Sequence, residues 1–401
     1  MNKKDILQEI PAEIRPFLNR RRVLQAGAIG GAAAFVAACG TGGSSNTDAA
    51  TGETVDLSET EKKVVWSNWQ SYMPVDESNG TYPDLEAFRA ETGITVRYQE
   101  DYNDNDEFYG IAKPVLEKGQ SLAADIVTPT DWMADIWIRN GYAMELDKNN
   151  IPNFSNLNEA YKNPSWDPGR KFSLPWQSGF AGFGWNKAKL KETLGTDKLT
   201  SMDEFFDPKL KGQVLVLSEL RDTIPLVLAW QGSDPTNFSD ADFQKAIDFL
   251  QSKVDDGHIQ AFVGNDYVQA LEQKNAIAVI GWSGDLGQMG ADFGFDLPET
   301  GGSIFVDNNL IAAGAKHKTN AEKVMNYFYD PVVAARVAAY VQFISPVNGA
   351  AEEMLKIDPA LAENQLIFPS DELLKRAFSA MPFSTEQAAN YSAAWAKLIG
   401  N

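Results

Sequence analysis

The sequence predicts an α/β protein of two domains with a ligand cleft between them, and three observations carry that prediction. From residue 63 onward, buried-strand runs alternate with amphipathic helical stretches, the order that gives sheets covered by helices. The chain has 401 residues, more than the roughly 250–300 at which a single hydrophobic core stops growing. Between two such stretches lies KFSLPWQSGFAGFGWN, residues 171–186. Its prolines and glycines, mixed with apolar residues, fit an extended crossover between domains better than a helix.

Each element has its own signal. VVW at 64–66 reads as a short strand. In YPDLEAFRAETG, Leu85 and Phe88 stand three apart and Gly93 is placed to end a helix. ITVRY is a second strand, FYGIAKPVLEKG a helix despite its proline, and ADIVTP a buried strand. Beyond the crossover, QVLVLS and AIAVIGW read as strands, residues 240–256 and 266–274 as helices, and 305–315 as a further strand. EKVMNYFYDPVVAARVAAYV then reads as paired helices. The expected lobes are 63–178 plus 305–345, and 179–304 plus 346–401. Backbone freedom for hinge closure is expected from GFAG near Gly179 and from the glycine pair before Ser303.

Residues 1–38 read as an export signal and 39–62 as a tether. RRR at 20–22 precedes an apolar Gly/Ala-rich run too short for a confident membrane span. NRRRVLQ resembles a twin-arginine signal, with Arg20 and Arg21 as the pair. VAAC at 36–39 resembles a bacterial lipobox, which implies that Cys39 becomes the lipidated first residue of the mature chain. The expected location is the outer face of the cytoplasmic membrane, with the membrane touched only through that lipid. Cys39 is the single cysteine, so no intrachain disulfide or cysteine metal cage can form. The polar stretch after it suits a solvated linker.

Composition and motifs narrow the function. A formal net charge of -20 and a pI near 4.6 repel nucleic acid and favour cations. GxGxxG and GxxxxGK[ST] are missing from the turns, so no dinucleotide or triphosphate cofactor is indicated. GxSxG, HExxH and Cys–His arrangements are missing too. His258 and His317, the only histidines, lie in polar contexts and are expected to be solvated. A ferric site would want clustered tyrosines with a histidine, and no metal is expected.

What remains is a set of polar-aromatic clusters at strand ends. Trp69 and Tyr72 follow VVW; Thr130, Asp131 and Trp132 follow ADIVTP; Glu219 and Asp222 follow QVLVLS. Trp282, Ser283 and Asp285 follow AIAVIG, and Asp307 follows the glycine pair of ETGGSIFVD. Ligands of α/β sheets sit beyond the carboxyl ends of strands. Aromatic faces attract cations and cover methylene chains, while carboxylates hold ammonium groups. The lining therefore suits an elongated polycation. Other uses stay open: Trp69 and Tyr72 could be a packing pair, Glu219 and Asp222 a surface salt-bridge network around Arg221, and Asp285 a turn cap. Trp66, Trp137, Trp176, Trp185 and Trp230 are expected in the core or between domains.

The landmarks WSNWQSYMP, FRAETGITVRY, ADIVTPTDWM, NFSNL, FSLPWQSGFAGFGWN, LKGQVLVLSELRD, IGWSGD, GGSIFVDN and PVNGA occur in this order over residues 63–401. In this the chain resembles the spermidine/putrescine-binding proteins of ABC importers. The resemblance implies the two-domain type II periplasmic-binding-protein fold, each domain a helix-covered mixed sheet, acting as a monomer beside the importer's permease subunits. By position it places Trp69, Tyr72, Thr130, Trp132, Glu219, Asp222, Trp282, Phe305, Asp307 and Phe343 at the polyamine site. Thr130 replaces a serine of the family, Trp132 a tyrosine, Phe305 a tryptophan and Phe343 a tyrosine, and the acids at 219 and 222 are exchanged. A family glutamine has no counterpart around residues 376–384. The polyamine's length is left open, with three acids favouring spermidine. The alternatives are another small solute, such as a sugar or amino-acid derivative, and a carboxylate-pair hydrolase.

Overall fold

Among the described residues, ten strands form one mixed sheet: β1 (Lys63–Trp69), β2 (Thr95–Tyr102), β3 (Ile126–Val127), β4 (Ser173–Asn186), β5 (Val214–Leu217), β6 (Ile259–Val263), β7 (Ala278–Trp282), β8 (Phe293–Asp296), β9 (Gly302–Ile311) and β10 (Ala377–Ser379). The order is β2-β1-β3-β9-β4-β7-β5-β6, with β10 beside β9 and β8 beside β4. The computed structural model describes residues 55–379, 381 and 383–400. The expected export signal, Cys39 and most of the tether lie outside the described residues.

The strand directions divide the sheet. β1 runs parallel to β2 and β3, and β5 runs parallel to β6 and β7. Between these trios, β4 and β9 lie antiparallel to each other and to their outer neighbours. β4 changes partner along its length: Ser173–Ala181 faces β9 and Ala181–Trp185 faces β7. The expected crossover is thus a continuous strand, with all 14 residues buried. Burial on both faces explains why its apolar residues do not alternate with polar ones.

Helices follow the strands as their end signals require. Pro83–Thr92 begins with a proline in its first turn and stops at Gly93, φ 73°. Asp104 caps Asn105–Leu116 by accepting from the backbone N–H groups of Asp106 and Glu107. Pro114 sits in the last turn of that helix and removes one rung of the ladder, the bond a backbone N–H there would donate to the Gly110 carbonyl. Lys318–Phe328 and Pro331–Val341 are the paired helices, separated where Asp330 caps the second.

Trp66 is fully buried, with ring centres of Trp176 at 4.8 Å and Phe328 at 5.5 Å in edge-to-face contact. Trp137, Trp176 and Trp185 are buried as expected, and half-buried Trp230 packs on Phe249.

Three expectations are corrected. Both histidines are buried, although their sequence neighbours are polar. His317 sits between two carboxylates, Nδ1 3.0 Å from Asp125 and Nε2 3.1 Å from Glu61. His258 packs against the Phe206 ring. Residues 56–61, assigned to the tether, are docked: the Leu57 N–H donates to Lys316, Asp56 accepts from Thr319, and the Ser58 hydroxyl accepts from the Asn320 N–H. Gly179 is not a loose joint, because it lies inside a laddered strand. A Cβ there would meet the Phe343 ring at 2.6 Å and the Phe305 ring at 2.7 Å. Its missing side chain makes room for two aromatic rings.

Candidate binding site

All ten residues expected at the site line one cavity. The trio built on β1 supplies Trp69, Tyr72, Thr130 and Trp132, and the trio built on β5 supplies Glu219, Asp222 and Trp282. β9 adds Phe305 and Asp307, and Phe343 follows the helix Pro331–Val341. The cavity therefore opens where strand ends from both sides of the sheet converge.

Asp307 is held from the first side. Its Oδ2 accepts from the Tyr72 hydroxyl at 2.7 Å and its Oδ1 from the Thr130 hydroxyl at 2.8 Å. Burial pushes its pKa up to about 7, against the pull of those two hydroxyl bonds. Asp222, in the first turn of the helix Leu220–Trp230, accepts from the Trp282 indole N–H at 2.8 Å and lies 3.4 Å from the Ser303 hydroxyl. Burial raises it to about 6. Neither carboxylate forms an ion pair with a lysine or arginine among the described residues.

Aromatic rings form the walls. Trp69 and Trp282, from opposite trios, meet edge-to-face at 5.9 Å. Trp69 is oriented by its indole N–H, which donates to the Thr128 carbonyl at 2.8 Å. Phe343 packs 5.1 Å from Tyr72 and 6.0 Å from Phe305. It fits closely because positions 179 and 284 are glycine; a Cβ at Gly284 would come within 2.3 Å of its ring.

Glu219 and Asp222 do not point alike. Glu219, N-terminal to the same helix, accepts through Oε1 from the Asn105 backbone N–H at 2.8 Å and its side-chain amide at 3.0 Å. Burial raises its pKa, and the charges of Asp104 and Asp222 add to that. A second bond, Ser218 hydroxyl to Asp104 at 3.1 Å, joins the same two segments. These bonds fasten the two sides together across the cavity rim. The surface ion-pair network considered around Arg221 does not form: Arg221 is buried between aromatic rings.

Asp285 has partners outside its own turn. It lies within the helix Ser283–Met289, where its carboxylate accepts from the Tyr267 hydroxyl at 2.7 Å and the Asn265 amide at 2.8 Å. Tyr267 in turn accepts from the Trp282 N–H and so fixes that backbone. Asn105, Asn265 and Ser303 also line the cavity, and sequence reasoning missed them. Asn105 and Asn265 follow β2 and β6, so extending the strand-end rule to those two strands would have found them. Among the described residues no group of three or more His, Cys, Asp or Glu side chains is placed to hold a metal.

Comparison with known proteins gives the family and the fold. Residues 85–367 match the model of a family described as bacterial extracellular solute-binding protein. The chain is 28% identical over 351 residues to the putrescine-binding periplasmic protein SpuD of Pseudomonas aeruginosa, covering 82% of this chain and 90% of that one. It is 26% identical over 311 residues to the spermidine/putrescine-binding periplasmic protein of Escherichia coli, covering 77% and 83%. Among solved structures, the spermidine/putrescine ABC transporter substrate-binding protein PotD of Streptococcus pneumoniae superposes with a TM-score of 0.66 at 22% identity, covering 84% of this chain and 98% of that one. That likeness establishes the two-domain type II periplasmic-binding-protein architecture.

Proposed function

The chain belongs to the bacterial extracellular solute-binding proteins, and from that premise we propose that it captures a polyamine, spermidine or putrescine, for an ABC importer. The family works in transport outside the cytoplasm and not in catalysis. In this reading the protein acts as a monomer held to the membrane by lipid on Cys39, and it closes on its ligand before meeting the permease. The names of the relatives in Pseudomonas aeruginosa and Escherichia coli support the solute class.

One observation carries the reading: two buried carboxylates, Asp307 and Asp222, face an aromatic cavity without a lysine or arginine ion-paired to either among the described residues. A buried carboxylate without a counter-charge is strongly disfavoured. An ammonium entering the cavity supplies that charge, and indole faces stabilise it further. The rings of Trp69, Trp282 and Phe305 cover the methylene chain between the nitrogens, worth about 0.8 kcal/mol per buried CH₂. A neutral sugar would leave both acids without a cation.

Calorimetric titration of the purified protein with putrescine, spermidine and a neutral sugar tests this. The expected result is saturable binding of at least one polyamine and none of the sugar. Sugar binding without polyamine binding would hand the cavity to a different solute.

A further inference from the structure

One end of the cavity already contains a cation. The Arg221 side chain is buried, with its guanidinium 4.7 Å from the Trp132 ring centre and 3.8 Å from that of Phe383. Its NH1 group donates to the Met381 carbonyl at 2.8 Å. Two ring faces and a carbonyl suit a planar guanidinium and hold it in place. Burial lowers its pKa to about 10, so it stays charged at neutral pH. The carboxylates of Asp131, Asp106 and Glu219 are the negative charges that act on it most strongly.

The acids divide accordingly. Asp131 and Glu219 lie in the field of Arg221, and Glu219 also serves Asn105 across the rim. Asp285 is engaged by Tyr267 and Asn265. Asp307 and Asp222 accept only from hydroxyl and indole donors in the bonds described, and no lysine or arginine pairs with either among the described residues. Meanwhile the Trp132 face that a third ammonium would use is covered by Arg221.

Resting on the polyamine reading, we propose that Arg221 is a specificity-determining residue: a resident cation at the Trp132 end of the cavity that sets the site for a diamine over a triamine. A triamine would bring its third ammonium against the guanidinium, where like charges in a site shielded from water repel strongly. Selection by such a built-in repulsive element is a general route to specificity. The guanidinium has a rival use, to receive the carboxylate of a zwitterionic ligand, and the test separates the two.

The test titrates the full chain, as wild type, Arg221→Met and Arg221→Lys, with putrescine, cadaverine, spermidine and 5-aminopentanoate. Wild type is expected to bind a diamine at least tenfold more tightly than spermidine. R221M keeps the apolar stem without the charge and should shrink or reverse that ratio by tenfold or more through a gain for spermidine. R221K keeps a cation and should retain the diamine preference. Wild type preferring spermidine overturns the proposal, whether or not the variants fold. So does an R221M that changes all polyamines by one common factor. Tighter binding of 5-aminopentanoate than of cadaverine gives the guanidinium a carboxylate partner and overturns it as well. Failure of wild type to bind any polyamine removes the parent reading itself, an outcome distinct from a wrong preference among polyamines.

Discussion

Replacing Asp307 with asparagine should move stability and binding in opposite directions. The folded, unliganded protein holds this carboxyl at a pKa of about 7 because it is buried. An unfolded chain holds it near 3.9. With the folded value above the unfolded one, the carboxyl's contribution to stability is complete below about pH 4 and is lost as pH rises through about 7. A displacement of roughly three pKa units corresponds to ~4 kcal/mol against the unliganded fold at pH 8, as an upper figure. At pH 5 only about a third of that loss has accrued. Asparagine has the same shape and cannot ionise. Its oxygen can still accept from one of the Tyr72 and Thr130 hydroxyls, and its amide can donate to the other. D307N should therefore be more stable than wild type at pH 8, with a margin about 2–3 kcal/mol larger than at pH 5. Its polyamine affinity should fall by about 2–5 kcal/mol, or tens to thousands of fold, because the ligand ammonium loses its charged partner. Denaturant melts at the two pH values, with calorimetry on the same samples, read both effects. A variant that is less stable by one margin at both pH values, and binds normally, would refute the reasoning.

Other expectations follow from the same geometry. Polyamine binding should drive protons off Asp307 and Asp222, whose pKa values stand at about 7 and about 6. Affinity should then weaken as pH falls from 8 to 5.5, and binding heats at pH 6.5 should vary with the buffer's ionisation enthalpy; heats independent of buffer would contradict this. Gly284→Ala places a Cβ 2.3 Å from the Phe343 ring and should cost about 1–3 kcal/mol of stability through overpacking, with weaker ligand binding, measurable by melts and titration. His317→Gln should destabilise by about 1–3 kcal/mol, since it breaks the bridge from Glu61 to Asp125; an unchanged melt would contradict it. Intact-mass measurement of the membrane-extracted protein should give a chain that starts at Cys39 with added lipid, and a soluble mature chain starting elsewhere would refute the anchor.

Much of this was legible in the sequence because strands and their ends carry local signals. QVLVLS reads as a strand, and its VLVL is β5, with four of four residues buried. Trp69, Tyr72, Thr130, Trp132, Glu219, Asp222, Trp282 and Asp307 stand out as polar or aromatic residues at strand ends, whereas Phe305 and Phe343 came only from the family resemblance. What was missed depends on distant packing. Polar neighbours made His317 look solvated, yet Asp125 and Glu61, far away in sequence, enclose it. The glycines of GFAG, residues 179–182, suggested freedom, whereas Gly179 and Gly182 each leave space for a neighbouring side chain or backbone. Glu219 and Asp222 looked like equivalent ligand acids, but Asn105, 114 positions before Glu219, takes the first for the rim. Arg221 looked like a surface partner for those acids, and only the fold brings Trp132 and Phe383 around it.

The most direct measurement is a crystal structure of the protein with putrescine. One ligand nitrogen is expected about 2.7–2.9 Å from the Asp307 carboxylate, the other at Asp222, and the carbon chain against the Trp69 and Trp282 rings. Density for the diamine away from both carboxylates, or a cavity left empty at saturating putrescine, would contradict it.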